Sequence, residues 1–86
     1  MIVLFNKIDI EHFTSYSRKQ NSTLVLCNEA VLMALSCALE ENTLILADDA
    51  LRLGCYTQML DKGLAIINRA ELVELLFEQQ PCLTIN

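Results

Sequence analysis

The sequence has few of the residues that interrupt helices and strands. It contains one proline, Pro81, two glycines, Gly54 and Gly63, and no tryptophan among its 86 residues. No linker, internal repeat or low-complexity tract divides it. A chain of this length supports one modest hydrophobic core. We therefore predict a single domain over residues 1–86.

Basic and metal-binding residues are also scarce. Six Lys and Arg residues stand against eleven Asp and Glu residues, and the net charge is −5. Direct binding to a nucleic-acid backbone needs a basic stripe, and none is present. The lone His12 and four cysteines without a C-x-x-C pair do not form a zinc ligand set. Because a glycine-rich phosphate loop is also missing, we expect no direct nucleic-acid contact, no metal and no cofactor.

Long apolar runs are absent as well. Asn, Glu, Asp or Lys interrupts every apolar stretch before the roughly 18–20 residues that a membrane span requires. The first five residues lack the basic lead of a signal peptide. We expect a cytoplasmic protein without membrane contact, whose four cysteines stay reduced: Cys27, Cys37, Cys55 and Cys82.

Short, fully apolar runs alternate with helical segments along the chain. Continuous apolar runs at 2–5, 23–27, 43–47 and 64–67 are typical of strands covered on both faces. Helical segments lie at 10–19, 29–40, 49–53 and 70–79, and residues 82–85 are suited to a short edge strand. This alternation predicts an α/β fold, a three-layer α/β/α sandwich with a small, mainly parallel sheet of four to five strands.

Capping residues support these positions. Asn28, Asp48 and Asn68 each follow a predicted strand and are expected to be helix N-caps, and Glu71 completes a capping box with Asn68. Gly54 is suited to a helix C-cap, and Gly63 to a turn.

The segment 29–40 is apolar on almost every side, which is typical of a helix buried all round. Apolar residues make up 53% of the chain, which is more than one small domain hides. The sheet covers only one side of such a helix, so we expect its other side to meet another subunit. The predicted interface residues are Val31, Leu32, Met33, Leu35 and Leu39.

The ends of the predicted strands hold the candidates for chemistry, namely Asn6-Lys7, Cys27-Asn28-Glu29, Asp48-Asp49 and Asn68-Arg69. Cys27 is the one nucleophile there, and a thiol at a helix N-terminus can have a lowered pKa. It is therefore a candidate sulfur acceptor. The alternative is a small buried residue that closes a strand, since no histidine base follows it and Glu29 opposes thiolate formation. Neither His12 nor the two aspartates form a recognisable catalytic set.

The order of these motifs resembles the DsrH family of sulfur-relay subunits, known as TusB in tRNA thiolation systems. The resemblance covers nearly the whole chain and is carried by 2–7 (IVLFNK), 24–26 (LVL), 31–35 (V-x-x-A-L), 44–54 (LILADDALRLG) and 66–75 (IINRAELVEL). The chain departs from the family pattern at Asn28-Glu29, at Asn68-Arg69 and at Arg52, which lies one place early. The first helix also lacks the cysteine that some sulfur-oxidising members carry.

The resemblance implies a hetero-oligomer with two related DsrE/DsrF-like (TusD/TusC-like) subunits, one of which carries the persulfide cysteine, or self-association when the chain is alone. In tRNA-modifying bacteria the sulfur reaches the 2-thio group of the wobble uridine. We therefore expect a non-catalytic or accessory subunit that supports this 2-thiolation or a related sulfur oxidation. Two alternatives stay open: a sulfurtransferase that depends on Cys27, and a stand-alone, homo-oligomeric binding module.

Overall fold

The computed structural model describes residues 1–19, 21–36, 39, 41–79 and 81–86. Five strands lie among them: β1 (Ile2–Phe5), β2 (Thr23–Leu26), β3 (Thr43–Leu46), β4 (Ile66–Ile67) and β5 (Cys82–Ile85). The helices are α1 (Ile10–Ser17), α2 (Met33–Ser36), α3 (Ala47–Arg52), α4 (Tyr56–Asp61) and α5 (Arg69–Glu78), and a 3₁₀-helix, Asn28–Leu32, precedes α2.

The strands form one sheet in the order β4-β3-β2-β1-β5, and every neighbouring pair is parallel. The first three strands are buried on nearly every residue because helices cover both faces of the sheet. The predicted α/β sandwich is confirmed, with a sheet of five parallel strands.

The strand order determines which face each helix covers. The chain steps from β1 to β4 in one direction and then returns to the opposite edge to form β5. With right-handed crossovers, α1 to α4 lie on one face of the sheet and α5 lies on the other. The two apolar cores agree with this arrangement. The larger core contains Phe13, Ala34, Ala50 and Met59 from the first four helices, and Leu72, Leu75 and Leu76 of α5 pack on the second.

Two aromatic rings anchor the larger core. Phe5 of β1 is fully buried, and its ring meets that of Phe13 edge to face, with centroids 5.8 Å apart and an interplanar angle of 75°. Met59 of α4 is also fully buried in this core. The first strand and the helices that follow β1 and β3 are therefore held by shared apolar contacts.

The predicted helix at 29–40 needs correction. A 3₁₀-helix occupies its first turn and α2 follows, while Cys37, Ala38 and Glu40 lie outside the described residues. Asn28 is not the N-cap, because its backbone is left-handed, with φ at 51°, and Cys27 takes the cap position.

The predicted interface residues are not equally accessible. Val31 is 0% and Met33 1% exposed within this chain alone, so both already lie inside its own core and have no surface left for a partner. Leu32 and Leu39 are half-buried, and Leu35 is exposed. The expectation that one side of this segment faces a partner was therefore wrong for Val31 and Met33, because helices α3 and α4 share the same face of the sheet and enclose them.

The other capping predictions had mixed outcomes. Asn68 and Glu71 form the predicted capping box at the start of α5. Asp48 is not an N-cap, because α3 begins directly after β3 and has Asp48 and Asp49 in its first turn. Negative side chains there interact favourably with the positive end of the helix dipole. Gly54 follows α3 with φ at 75°. Helix α4 was not predicted, since its six residues lie between two turn-forming glycines.

Among the described residues, the longest helix has ten residues, and no helix is long and apolar enough to cross a membrane.

Candidate functional site at the carboxyl edge of the sheet

A chain of polar side chains joins the carboxyl ends of β1, β2 and β5 to helix α3. Asn28, after β2, donates from Nδ2 to Asn6 Oδ1 after β1 over 2.9 Å, and Asn6 donates from Nδ2 to Asn86 Oδ1 after β5 over 2.9 Å. On its other side, Asn28 Oδ1 accepts from the guanidinium of Arg52 over 3.4 Å. Parallel strands bring these side chains together because all their carboxyl ends meet at one edge.

Asp49 of α3 accepts hydrogen bonds from two residues of this polar chain. Its Oδ2 accepts the backbone N–H of Asn28 over 2.6 Å, and its Oδ1 accepts from Arg52 over 3.3 Å. The Asp49 side chain is 8% exposed, whereas that of Arg52 is 54% exposed. A left-handed backbone is unfavourable for a residue other than glycine, and asparagine tolerates it best. The buried carboxylate therefore fixes the unusual turn that follows β2.

A crevice is expected between the ends of β3 and β4. Helix α3 leaves β3 toward one face of the sheet, while α5 leaves β4 toward the other, which is the arrangement at which ligands bind open α/β sheets. Asp48 and Arg69 lie at this point, and Arg69 Nε donates to Asp48 Oδ2. Both side chains are exposed, at 46% for Asp48 and 71% for Arg69.

Cys27 lies at the same carboxyl edge, near Asp49 and Arg69, but is closed to solvent. It is 6% exposed, and burial raises the pKa of its thiol to about 11, with a further contribution from the negative charge of Asp49 that the positive charge of Arg69 only partly offsets. The thiol is therefore protonated at neutral pH. A protonated, enclosed sulfur is a poor nucleophile.

The remaining candidates lie apart from Cys27. Cys55 is buried, with its Sγ 3.7 Å from the carbonyl oxygen of Ala50, and Cys82 is exposed. Both are free thiols, as Cys27 is, while Cys37 lies outside the described residues. In the part of the chain that the structure describes, no three His, Cys, Asp or Glu side chains are grouped to hold a metal ion.

His12 is part of a helix start. Its ring Nδ1 is 2.8 Å from Asp9 Oδ2, and its backbone N–H donates to Asp9 Oδ1 over 3.1 Å. These contacts, with the backbone bond first, hold the pKa of Asp9 below its ordinary value. The pair caps α1.

The sequence pointed to Asn6, Asn28, Asp48, Asp49 and Arg69, and the structure brings all five to the same edge. The sequence did not point to two further residues of the polar chain, Arg52 and Asn86. Arg52 was noted only as a departure from the family pattern, although its i,i+3 spacing from Asp49 on a helix is a signal for the ion pair. Asn86 has no such signal, because its place depends on the pairing of β5 with β1.

Alkaline pH is expected to destabilise the chain through Cys27. The folded thiol ionises near pH 11, whereas the unfolded thiol ionises near its ordinary value of 9.0. The unfolded state therefore holds fewer protons between these values, and stability that is complete below pH 9 falls by about 2–3 kcal/mol as the pH passes 11. Urea denaturation of the wild type and of Cys27→Ala at pH 7 to 11 measures this loss. The variant should lack that part of the decline, and exposed Cys82→Ala should keep it; parallel curves for all three proteins would contradict the prediction.

Comparisons with protein-family models, with curated proteins and with solved structures found no match to this chain. The resemblance to DsrH subunits therefore stands on the sequence motifs alone.

Proposed function

We propose that this chain is an accessory, non-catalytic subunit of a cytoplasmic sulfur-relay complex. In this role it supports persulfide transfer for the 2-thiolation of the tRNA wobble uridine, or for a related sulfur oxidation. The class of function comes from the sequence resemblance. The accessory role is supported by one observation, which is the closed and protonated state of Cys27.

Sulfur transfer between proteins requires an accessible thiolate. The acceptor thiolate attacks the outer sulfur of the donor persulfide, a new sulfur–sulfur bond forms, and the donor cysteine leaves as a thiolate. Cys27 offers neither the charge nor the access for this step. The resemblance assigns the transferring cysteine to a DsrE/DsrF-like partner subunit, and the closed state of Cys27 supports that assignment.

The helical layer formed by α1 to α4 carries a surface suited to such a partner. Leu35 of α2, Leu51 of α3 and Leu60 of α4 are 37%, 61% and 53% exposed. These helices pack against one another on a single face of the sheet. Exposed leucines on helices that contact one another offer an apolar surface to a partner subunit.

Co-expression with the two related subunits tests the hetero-oligomer. With a tag on one sister subunit, the chain is expected to co-purify, and native mass spectrometry should give a fixed ratio. Leu51→Glu should weaken binding of the sister subunits, while Val73→Glu, at an exposed apolar residue on the opposite helical layer, is the matched control for that binding alone. Sister subunits that assemble without this chain would contradict the proposal.

Persulfide transfer by the assembled complex tests the accessory role. Cys27→Ser is expected to leave the rate of transfer of labelled sulfur unchanged, as is Cys55→Ser at the second buried thiol. A Cys27→Ser complex that assembles but no longer transfers sulfur would instead establish the sulfurtransferase that depends on Cys27.

The polar carboxyl edge of the sheet favours a second candidate function. Its exposed Arg69 and Asp48 and its amide side chains are suited to a small polar ligand. The alternative is therefore a stand-alone, homo-oligomeric binding module. In that case the chain should not bind either sister subunit.

A further inference from the structure

Strand β5 ends the sheet with an open hydrogen-bonding edge. Its inner side pairs with β1, where the carbonyl oxygens of Pro81 and Ile85 accept from Ile2 and Asn6 over 3.1 and 2.9 Å. Successive residues of a strand direct their backbone groups to opposite sides. Cys82, Thr84 and Asn86 therefore point their backbone N–H and C=O groups outward, away from β1.

This edge lacks the features that keep edge strands from pairing. No charged residue occurs from Gln79 to Asn86, and no proline lies within the strand itself. Lysines, prolines and bulges are the usual protection of an exposed edge. The opposite edge of the sheet, β4, is only two residues long and presents much less backbone. Among the described strands, β5 is thus the one that offers a long, unprotected edge.

We propose that β5 pairs antiparallel with β5 of a second copy of this chain, about a two-fold axis at Thr84. In this register Thr84 lies opposite its own copy, and Cys82 lies opposite Asn86 of the second copy. Each of these residues has outward-pointing backbone groups, so every pair exchanges two hydrogen bonds. Leu83 then lies beside Ile85 of the second copy on the other face of the joined sheet.

The edge at β5 is the part of the sheet where charge opposes a second copy least. A chain with a net charge of −5 repels itself, but the side chains of residues 79–86 are uncharged, so two copies can approach there without bringing Asp or Glu side chains together. The pairing is also self-complementary, so it closes as a dimer; pairing of β5 with the short β4 edge would instead leave both ends open to polymerise.

Helix α5 adds apolar surface on the same side. It faces the sheet through Leu72, Leu75 and Leu76, so Val73 and Phe77 lie on the adjacent flank, where they are 51% and 78% exposed. In a right-handed crossover from β4 to β5, that flank is the one nearer β5. In the dimer, the flanks of both copies line one groove over the continuous sheet.

Introducing a charge at Thr84 tests the pairing. In the dimer, two residues at this position have Cα atoms about 5.5 Å apart, so Thr84→Lys and Thr84→Glu should each weaken self-association at least about tenfold. Mixing the two variants should restore a dimer that contains one copy of each. Thr57→Lys is the matched control, because Thr57 is also an exposed threonine but lies on α4 and not on β5. This variant should dimerise as the wild type does. Native mass spectrometry gives the mass, and circular dichroism shows that each variant is folded.

A wild type that stays monomeric, or folded Thr84→Lys that still dimerises, would overturn this proposal. It does not depend on the sulfur-relay assignment, and the two can fail separately. If both are right, Thr84→Lys retains the sister subunits but leaves one copy of this chain per complex. If the chain forms a dimer that depends on Thr84 but does not bind the sister subunits, the proposed function is wrong and the edge pairing is supported.

Discussion

Iodoacetamide at pH 8 is expected to label exposed Cys82 readily and Cys27 very slowly. With a pKa of about 11, only about 0.1% of Cys27 is thiolate at this pH, against about 10% for a thiol at the ordinary value of 9.0. Ionisation alone therefore slows Cys27 about a hundredfold relative to an unperturbed thiol. Burial slows it further, because the reagent must wait for the chain to open locally.

Pulse labelling followed by peptide mass spectrometry measures each cysteine separately. In concentrated urea the difference should disappear, which is the control for the reactivity of each peptide. Labelling of Cys27 in the folded chain as fast as Cys82 would mean an accessible thiolate after β2. That outcome would remove the main support for an accessory role.

Loss of the Asp49 carboxylate is expected to destabilise the fold by about 2–3 kcal/mol. Asp49→Ala leaves the part-buried backbone N–H of Asn28 without its acceptor and removes the carboxylate that pairs with Arg52. The turn after β2 also loses the contact that holds Asn28 in its left-handed conformation. Urea denaturation followed by circular dichroism measures the change in the free energy of unfolding.

Asp48→Ala is the matched control, since it removes a carboxylate from the neighbouring position of the same helix. Asp48 and Arg69 are both exposed, and exposed ion pairs contribute about 0–1 kcal/mol. Equal losses for the two variants would show that Asp49 has no special role in holding the turn. Asp49→Asn should recover part of the stability, because its amide oxygen can still accept from Asn28.

The sheet was predictable because apolar runs are direct evidence of buried strands. Four runs and the edge strand at 82–85 located all five strands to within two residues at each end. The capping box at Asn68 was predictable for a similar reason, since both of its residues act locally. Helix α4 was not, because its six residues carry too little periodicity to distinguish it from a loop between Gly54 and Gly63.

The polar edge was predictable in its members but not in its contacts. Parallel strands require that Asn6, Asn28 and Asp49 share one edge, and this follows from the sequence. The left-handed backbone of Asn28 follows from Asp49 accepting its N–H, a contact between residues 21 positions apart that no local pattern shows. The state of Cys27 has the same origin, because burial and the charge of Asp49 together set it.

The position of β5 also bears on how the chain is made. β1 is synthesised before the other four described strands, and it lies between β2 and β5 in the finished sheet. Until β5 emerges from the ribosome, one side of β1 has no strand beside it, and the two partners are separated by about 80 positions. Such long-range pairing is slow and leaves intermediates prone to aggregate. One edge of β1 therefore stays unpaired from the synthesis of β1 until that of β5, and β5 both closes that edge and presents a new one.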